Sequence, residues 1–527
     1  MRILIFHGYL LGGTGSNVYN ARLAEALVGM GHEVHLLSQD RHPEQHRFVD
    51  AIGEWDAGSL SVRPARGGTG HRPARCTVYR PDIGGLLPVY VADRYEGIEA
   101  RIFPELGEEE LARYLASNVD AVRDVVARAR PDVALANHLV MGPVILARGL
   151  AGEVPYAVKI HGSALEYTVK PNPERFLGLA REGLAGARGV LVGSRHTAIS
   201  LWNALAEPGL PERTRLGPPG VDVSRFAPRE PAAAAEGLRE LARQLRSAPA
   251  APGAVAPASA FTRDAQAAAD ALERIDPDRE PLVAFVGKLI VSKGVDLLLA
   301  AWPLVLGQFP DARLVVVGFG AYREALERLI GAISSGDLEG ARRIALAGRS
   351  LEGEGIEALP LHHLLAFLDS LEGEERDRYL SAARGLRERV VLSGRLEHDE
   401  LAELLPACQA LVVPSTFPEA FGMVAAEAAA CGVLPVSAGH SGLMEVSEVL
   451  AGAVPAQAAG WLSFPVDDGA VRAIAARLCA WLGADERLRS ETRAGLLATA
   501  RERWSWEGVG RGVIAAARGE LEGLQAP

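Results

Sequence analysis

Two series of short apolar runs, each alternating with helical stretches, constrain this chain more than any other feature. The runs are only a few residues long and rich in Val, Ile and Leu, which is typical of parallel strands buried on both faces. The first series comprises Ile3–Phe6, Val34–Leu37, Val133–Ala136, Tyr156–Ile160 and Val190–Val192. The second comprises Leu282–Val286, Leu314–Val317, Val390–Leu392, Leu411–Val413 and Leu434–Val436. This repeated βαβ pattern predicts two doubly wound α/β domains.

The 527 residues suffice for two domains with separate cores. We place the first at 1–222, an Ala/Pro-rich linker or insertion at 223–280, and the second at 281–504. Because residues 231–278 are rich in Ala, Pro and Arg, they are expected to be helical or partly disordered. Added helices are expected at about 332–388, where Leu361, Leu364, Leu365 and Leu368 have helical spacing. A last helix is placed at 505–527.

The segment PSTFPEAFGMVAAEAAACG carries two glutamates in different settings. Glu419 closes the loop after a strand, whereas Glu427 lies inside an alanine-rich helix that can pack tightly against a sheet. A carboxylate buried there costs roughly several kcal/mol unless something pairs with it. We therefore expect a ligand that donates hydroxyl groups to Glu427; the alternative is a solvated helix face. Free amides at the helix start, from Phe421 to Met423, suit an anion.

Other polar residues follow predicted strands, where doubly wound sheets bind ligands. His161 follows Tyr156–Ile160 and could hydrogen-bond a substrate hydroxyl, or it is a satisfied structural histidine. His138 ends an earlier strand in a similar way. Lys288 and Lys293 follow a strand of the second series and could neutralise a diphosphate, or they are ordinary surface lysines.

A glycine-rich loop, Gly12-Gly13-Thr14-Gly15, follows the first strand. It lets backbone amides approach a phosphate or sugar, or it is simply a tight turn. Its spacing is not the G-x-G-x-x-G of dinucleotide-binding proteins, which disfavours an NAD-dependent dehydrogenase.

Charge and cysteine content exclude several classes of function. The net charge of -11 argues against nucleic-acid binding. The arginine-rich stretch Arg63–Arg80 is expected to be a solvated loop, with an anionic acceptor or membrane surface as the second interpretation. The cysteines Cys76, Cys408, Cys431 and Cys479 form no C-x-x-C pair, which predicts no metal site and a reducing cytosol. The sequence has no apolar run of about 18 residues, so we expect a cytoplasmic protein, with peripheral contact at the inner membrane face left open.

In their order along the chain, these motifs resemble the retaining GT-B glycosyltransferases of glycosyltransferase family 4. The matching parts are Gly12-Gly13, the Lys288–Lys293 segment, the block from Pro414 to Gly432, and the Gly442-x-x-Glu445 loop. The block from Pro414 to Gly432 is the specific one, and residues 231–278 and 332–388 stay outside the resemblance. It implies two Rossmann-like domains facing a central cleft, with the donor on the second and the acceptor on the first. It also implies that the C-terminal helix at 505–527 crosses back to the first domain.

The resemblance also implies a role for each residue. The catalytic set would be Glu419 on hydroxyls of the transferred sugar, Lys288 and Lys293 on the diphosphate, and His161 near the reacting centre. Donor binding would involve Gly13 near the diphosphate, Arg395 and Leu396 at the base, amides of Phe421, Gly422 and Met423 at sugar and phosphates, and Glu427 on the ribose. Members of the family usually have Arg where Lys288 stands, so here a point charge replaces a forked contact.

The function so implied is transfer of a sugar from a UDP- or GDP-sugar to a hydroxyl of an unidentified sugar, lipid or small molecule. The anomeric configuration would be retained by reaction on one face of the donor, with no protein nucleophile, metal or other cofactor. One alternative is a GT-B nucleotide-sugar epimerase, which would consume donor without an acceptor. Another is a catalytically silent nucleotide-sugar-binding protein, which would bind the donor without turnover.

Overall fold

The structure, a computed structural model, describes residues 1–56, 58–66, 74–91, 99–248, 264–353 and 355–527. The chain divides into two compact units. The first comprises Met1–Gly220 together with Trp504–Pro527, and the second comprises Val221–Arg503.

A nine-stranded sheet, ordered β11-β10-β9-β8-β1-β2-β5-β3-β4, forms the centre of the first unit. All neighbouring strands are parallel except the antiparallel hairpin of β3 and β4, and β6 and β7 pair in parallel as a separate ribbon. The strands are β1 Arg2–Phe6, β2 Glu33–Leu37, β3 Ala51–Asp56, β4 Ser59–Pro64, β5 Cys76–Arg80, β6 Leu86–Val89, β7 Glu99–Ile102, β8 Val133–Asn137, β9 Tyr156–Ile160, β10 Gly189–Val192 and β11 Thr214–Leu216.

Helices cover both faces of this sheet. They are α1 Gly15–Gly29, α2 Glu108–Ala129, α3 Gly142–Leu150, α4 Pro173–Ala185 and α5 Arg195–Leu205. Because side chains alternate along a strand, Ile3 and Ile5 join the core beneath α1, whereas Leu4 and Phe6 join the core beneath α2, α3 and α4. The sheet is therefore buried on both faces, which explains its nearly continuous apolar strands.

The second unit has a parallel sheet ordered β14-β13-β12-β15-β16-β17. Its strands are β12 Leu282–Val286, β13 Arg313–Val317, β14 Val390–Gly394, β15 Ala410–Val413, β16 Leu434–Ala438 and β17 Ser463–Phe464. Its helices are α6 Pro231–Ser247, α7 Ala265–Leu272, α8 Val295–Leu306, α9 Arg323–Ser335, α10 Leu338–Ala347, α11 His362–Asp369, α12 Gly373–Ala383, α13 Leu386–Arg389, α14 His398–Leu404, α15 Met423–Ala430, α16 Ser441–Ala451, α17 Ala456–Ala459, α18 Ala470–Leu482 and α19 Glu486–Arg503.

The final helix, α20 Trp506–Arg518, belongs to the first unit. It packs against α1 and against β8, β9 and β10. After it, the Leu216 N–H donates to the Gln525 carbonyl at 2.7 Å, so the end of the chain also lies against β11.

The two predicted doubly wound sheets are confirmed, and every strand of the two apolar series is present. The expected solvated loop at Arg63–Arg80 is wrong at both ends, because Arg63 lies in β4 and Cys76–Arg80 forms the mostly buried strand β5. Between them, residues 67–73 lie outside the described residues. These strands were missed because pairing with β2 and β3 buries β5, whereas its sequence has polar residues on both sides of Val78.

The two compositionally unusual stretches belong to the second unit. In the first, α6 packs against α7 and α14, and α7 lies against β14, an outer strand of the sheet. Residues 249–263 of that stretch lie outside the described residues. In the second, the leucine pattern lies at α11 and the residue before it, with Leu364 and Leu368 fully buried.

Candidate active site

Three predicted site residues of the second unit, Lys288, Lys293 and Glu419, lie where its strand order reverses. β12 and β15 are neighbours, but the chain after β12 turns towards β13 and the chain after β15 turns towards β16. Their carboxyl ends therefore open a crevice, which is where doubly wound sheets bind ligands. The loop with Lys288 and Lys293 follows β12, and the loop with Glu419 follows β15.

Lys293 and Glu419, which were assigned to different parts of a ligand, form an ion pair with each other. Gly294 makes this possible. Its φ is +64°, and an added Cβ would lie 2.0 Å from the Pro414 carbonyl oxygen. The loop after β12 thus touches the loop after β15 at a glycine, which brings the ammonium to the carboxylate.

Glu419 is held at several atoms. Its carboxylate accepts a hydrogen bond from the Ser415 hydroxyl at 2.7 Å, and its N–H donates to Ser441 Oγ at 2.9 Å. Burial opposes ionisation, but Lys293 and the Ser415 hydroxyl outweigh it, so the pKa of Glu419 lies below its ordinary 4.5. The side chain is still a quarter exposed, so an ionised carboxylate with a fixed orientation can reach a ligand.

Glu427 is buried on α15, as its alanine-rich surroundings predict, with a 3% exposed surface. Its partner is a protein group, because its Oε1 lies 2.7 Å from Nε2 of His398 at the start of α14. The expectation that a ligand would be the main compensation is therefore incomplete. His398 was missed by the sequence analysis, since no spacing links it to a carboxylate 29 residues further on.

The start of α15 lies beside the same crevice. Gly422 precedes the helix with a φ of +130°, and an added Cβ would lie 2.7 Å from Leu443 Cδ2. Phe421 is buried, whereas Gly422 and Met423 are partly exposed. Gly442 of the next loop donates its N–H to the Glu419 carbonyl at 3.0 Å, so the Gly442-x-x-Glu445 loop packs against the segment that carries Glu419.

The loop after β12 is also held from another side. Glu352, between α10 and α11, accepts a hydrogen bond from the Val291 N–H at 2.6 Å. Lys288 is partly buried two residues after β12. The helical region at 332–388 therefore contacts the loop of the two lysines, which its sequence did not indicate.

Arg395 and Leu396 follow β14, next to the glycine turn after β13. The guanidinium lies 5.7 Å from the centre of the Phe319 ring and 3.1 Å from the Glu397 carboxylate, and Leu396 is 6% exposed. An arginine stacked on Phe319 and the apolar side chain of Leu396, both near strand ends, could line the base of a nucleotide.

Gly13 and His161 belong to the first unit. Gly13 follows β1, at the corresponding reversal between β1 and β8, and His161 follows β9, the neighbour of β8. Gly13 is exposed with a φ of +91°, and His161 is partly exposed directly after β9. Burial, then the neighbouring His138 and Lys159, hold the pKa of His161 well below 6.5, so the imidazole is neutral at pH 7. His138 is buried beside it, with ring centres 4.9 Å apart.

The structure thus places nine of the predicted residues in the second unit and two, Gly13 and His161, in the first. Sequence reasoning missed His398, Ser415, Glu352 and the buried Lys159, whose ammonium donates to the Gly217 carbonyl. In the part of the chain that the structure describes, no group of three His, Cys, Asp or Glu side chains could hold a metal ion. Within the same residues, no helix is long and apolar enough to cross a membrane.

Three family models match the sequence. The glycosyl transferase 4-like domain matches residues 14–201, and glycosyl transferases group 1 models match residues 280–350 and 362–481. The latter two include most of 332–388, the region that stayed outside the motif resemblance.

Individual proteins show the same similarity. A D-inositol 3-phosphate glycosyltransferase of Segniliparus rotundus is 32% identical over 59% of this chain and 48% of its own length. A GDP-mannose-dependent alpha-(1-6)-phosphatidylinositol monomannoside mannosyltransferase of Mycolicibacterium smegmatis is 27% identical over 43% of this chain and 38% of its own. The chain thus spans about half or less of the length of these relatives. The crystal structure of Anabaena Alr3699/HepE in complex with UDP and glucose has a TM-score of 0.55 at 16% identity, over 98% of this chain and 99% of that one.

Proposed function

Because the chain is a GT-B protein of the glycosyltransferase family 4 type, we propose that it transfers a sugar from a nucleotide-sugar donor to a hydroxyl acceptor. The observation that carries the proposal is the Lys293–Glu419 pair at the reversal between β12 and β15. One crevice then offers a cation for a diphosphate and an ionised carboxylate for sugar hydroxyls.

The donor is a UDP- or GDP-sugar bound by the second unit. Lys288 and Lys293 neutralise the diphosphate, together with the amides at the start of α15. Glu419 accepts hydrogen bonds from the sugar and Glu427 from the ribose, with His398 fixing the Glu427 carboxylate. Arg395 and Leu396 line the base. UDP is bound in the Anabaena structure and GDP-mannose is named for the Mycolicibacterium relative, which supports both nucleotides as candidates for the donor.

The reaction retains the anomeric configuration and uses no metal or protein nucleophile. The acceptor oxygen forms a bond to the anomeric carbon on the face from which the phosphate leaves. The bond between that carbon and the phosphate oxygen breaks, and this oxygen takes the acceptor proton. The products are a glycoside and a nucleoside diphosphate. The protein contributes positioning and charge stabilisation.

A direct experiment is to incubate the full chain with a panel of UDP- and GDP-sugars and cell extract, with and without added EDTA. Acceptor-dependent release of UDP or GDP, and an α-configured product by NMR from an α-configured donor, are expected. Conversion of donor with no acceptor would point to an epimerase instead. Nucleotide binding without turnover in any extract would point to a silent binding protein.

A further inference from the structure

A continuous chain of buried polar side chains joins His161 to the glycine loop of the first unit. His161 Nε2 lies 2.8 Å from Asn137 Oδ1, and Asn137 Nδ2 lies 2.8 Å from Asn20 Oδ1. Asn20 Nδ2 lies 3.0 Å from His7 Nδ1, and His7 Nε2 lies 3.0 Å from Asn17 Oδ1. Asn17 Nδ2 then lies 2.7 Å from the Gly12 carbonyl oxygen. This hydrogen-bond network therefore runs from the end of β9 through β8 and α1 to the loop after β1.

Backbone carbonyls determine the direction of every bond, because a carbonyl oxygen can only accept. The Asn137 amide nitrogen faces the Phe6 carbonyl at 3.2 Å, and the Asn20 amide nitrogen faces the Ser16 carbonyl at 2.9 Å. His7 Nε2 likewise faces the Leu10 carbonyl at 3.0 Å. Each of these nitrogens is therefore a donor. Flipping the side-chain amide of Asn137 or of Asn20 would place its oxygen against a backbone carbonyl oxygen.

The consequence for His161 is a single tautomer. The Asn137 amide nitrogen donates to the Phe6 carbonyl and to Asn20 Oδ1, so Asn137 Oδ1 is the atom that faces His161. This oxygen can only accept, and the proton of the neutral imidazole therefore lies on Nε2. Nδ1 then carries the lone pair, and it has no hydrogen-bond partner among the described residues. Groups that titrate around the ring are His138, His7, Lys159 and Tyr19, whose ring centre is 5.0 Å away.

We propose that Asn137, Asn20 and His7 are positioning residues that hold His161 as the Nε2–H tautomer, with Nδ1 aimed to accept a hydrogen bond from a sugar hydroxyl. The sugar as ligand rests on the proposed function, whereas the tautomer and its cause do not. The same hydrogen-bond network connects His161 to the Gly12 carbonyl in the loop after β1.

The tautomer is tested without turnover by ¹⁵N NMR of the full chain with labelled histidine. The expected spectrum at pH 7 to 8 has His161 Nε2 protonated and Nδ1 bare, with the ring still neutral at pH 6. The His161 signals are identified by their loss in His161→Gln. A protonated Nδ1 would overturn the inference, because Asn137 would then have to donate to His161. This outcome is independent of whether any sugar is transferred.

The role in catalysis is tested with Asn137→Ala and Asn137→Asp. We expect Asn137→Ala to lower kcat about tenfold or more while the KM for the donor stays within twofold, since the donor nucleotide binds the other unit. Asn137→Asp keeps an acceptor for Nε2–H, and its charge should move the acid limb of kcat to higher pH. The matched control is Asn118→Ala, a buried asparagine whose only described side-chain hydrogen bond goes to the Tyr114 carbonyl at 2.8 Å. Equal kcat losses in Asn118→Ala and Asn137→Ala would show that the hydrogen-bond network has only a structural role. An acid limb of kcat at the same pH in all variants would show the same.

Discussion

Glu427 and His398 lie 2.7 Å apart, so the buried carboxylate of the alanine-rich helix is paired with an imidazole from α14 of the same unit. A carboxylate has room for several hydrogen bonds, and one taken by His398 orients the rest. The hydrogen bond from His398 therefore offsets the cost of burying the Glu427 carboxylate in the free protein. It leaves the carboxylate able to accept a hydrogen bond from a ribose hydroxyl.

Removing this carboxylate should weaken nucleotide binding. In Glu427→Ala we expect the affinity for UDP or GDP to fall about tenfold, or ~1.4 kcal/mol, because the charge-assisted hydrogen bonds that we propose between Glu427 and the ribose would be lost. The measurement is the thermal shift produced by each nucleotide. His398→Ala keeps the carboxylate and should keep a larger part of the shift. An undiminished shift in Glu427→Ala would contradict the ribose assignment.

Glu419 should be needed for transfer but not for folding. We expect Glu419→Ala to lower kcat by roughly a hundredfold or more, since the hydrogen bonds that we propose between Glu419 and the sugar would strengthen as charge develops. The variant should still fold, although its unfolding temperature should fall somewhat, because the mostly buried Lys293 ammonium and the Ser415 hydroxyl lose their partner. Glu448→Ala, an exposed glutamate on α16, serves as the control and should transfer at the wild-type rate. Wild-type transfer by Glu419→Ala would remove Glu419 from the site.

Gly294 should not tolerate a side chain where the loop after β12 touches the loop after β15. In Gly294→Ala the new Cβ would lie 2.0 Å from the Pro414 carbonyl oxygen at a φ of +64°, so the loop must move. We expect a loss of roughly 3 kcal/mol in the free energy of unfolding, measured in urea, together with weaker donor binding. Gly373→Ala has a similar φ of +50° with no described atom within 4 Å, and should cost only about 1 kcal/mol.

Glu352 should support the lysine loop through its oxygen rather than its charge. Glu352→Ala leaves the Val291 N–H without its acceptor, so we expect the donor KM to rise about fivefold with a smaller change in kcat. Glu352→Gln retains a carbonyl oxygen and should restore most of the affinity. A KM equally raised in both variants would show that the charge, and not the hydrogen bond, is what the loop requires.

Lys159 should make stability depend on pH. Burial lowers its pKa from 10.5 to about 7, so between these values the unfolded chain binds more protons than the folded one. The contribution of Lys159 to stability is therefore complete above pH 10.5 and is lost as pH falls towards 7. Relative to Lys159→Met, the wild type should gain more than ~1 kcal/mol between pH 7 and pH 9, measured by urea unfolding at both pH values. A constant difference would contradict the depressed pKa.

The strands show how far local sequence reaches. Central strands such as Ile3–Phe6 and Leu282–Val286 were predictable because burial on both faces demands an apolar run. The strand Cys76–Arg80 was not, since Thr77 and Tyr79 are polar and yet buried, and only pairing with β2 and β3 explains that burial. At the site, Glu419 and Glu427 were predictable from one short segment, whereas His398 and Glu352 come from distant segments that no spacing connects.

The amino-acid sequence by itself determined two doubly wound units and the polar residues that follow their strands. The physical reason is that the hydrophobic pattern of each strand, and hence its burial, can be read from a few consecutive residues. Tertiary structure alone decided the pairings: Lys293 with Glu419, His398 with Glu427, and His161 with Asn137. The physical reason is that parallel strands from distant parts of the chain end at one edge of a sheet. Which side chains meet there depends on strand order and register, and these are set by the packing of the whole unit.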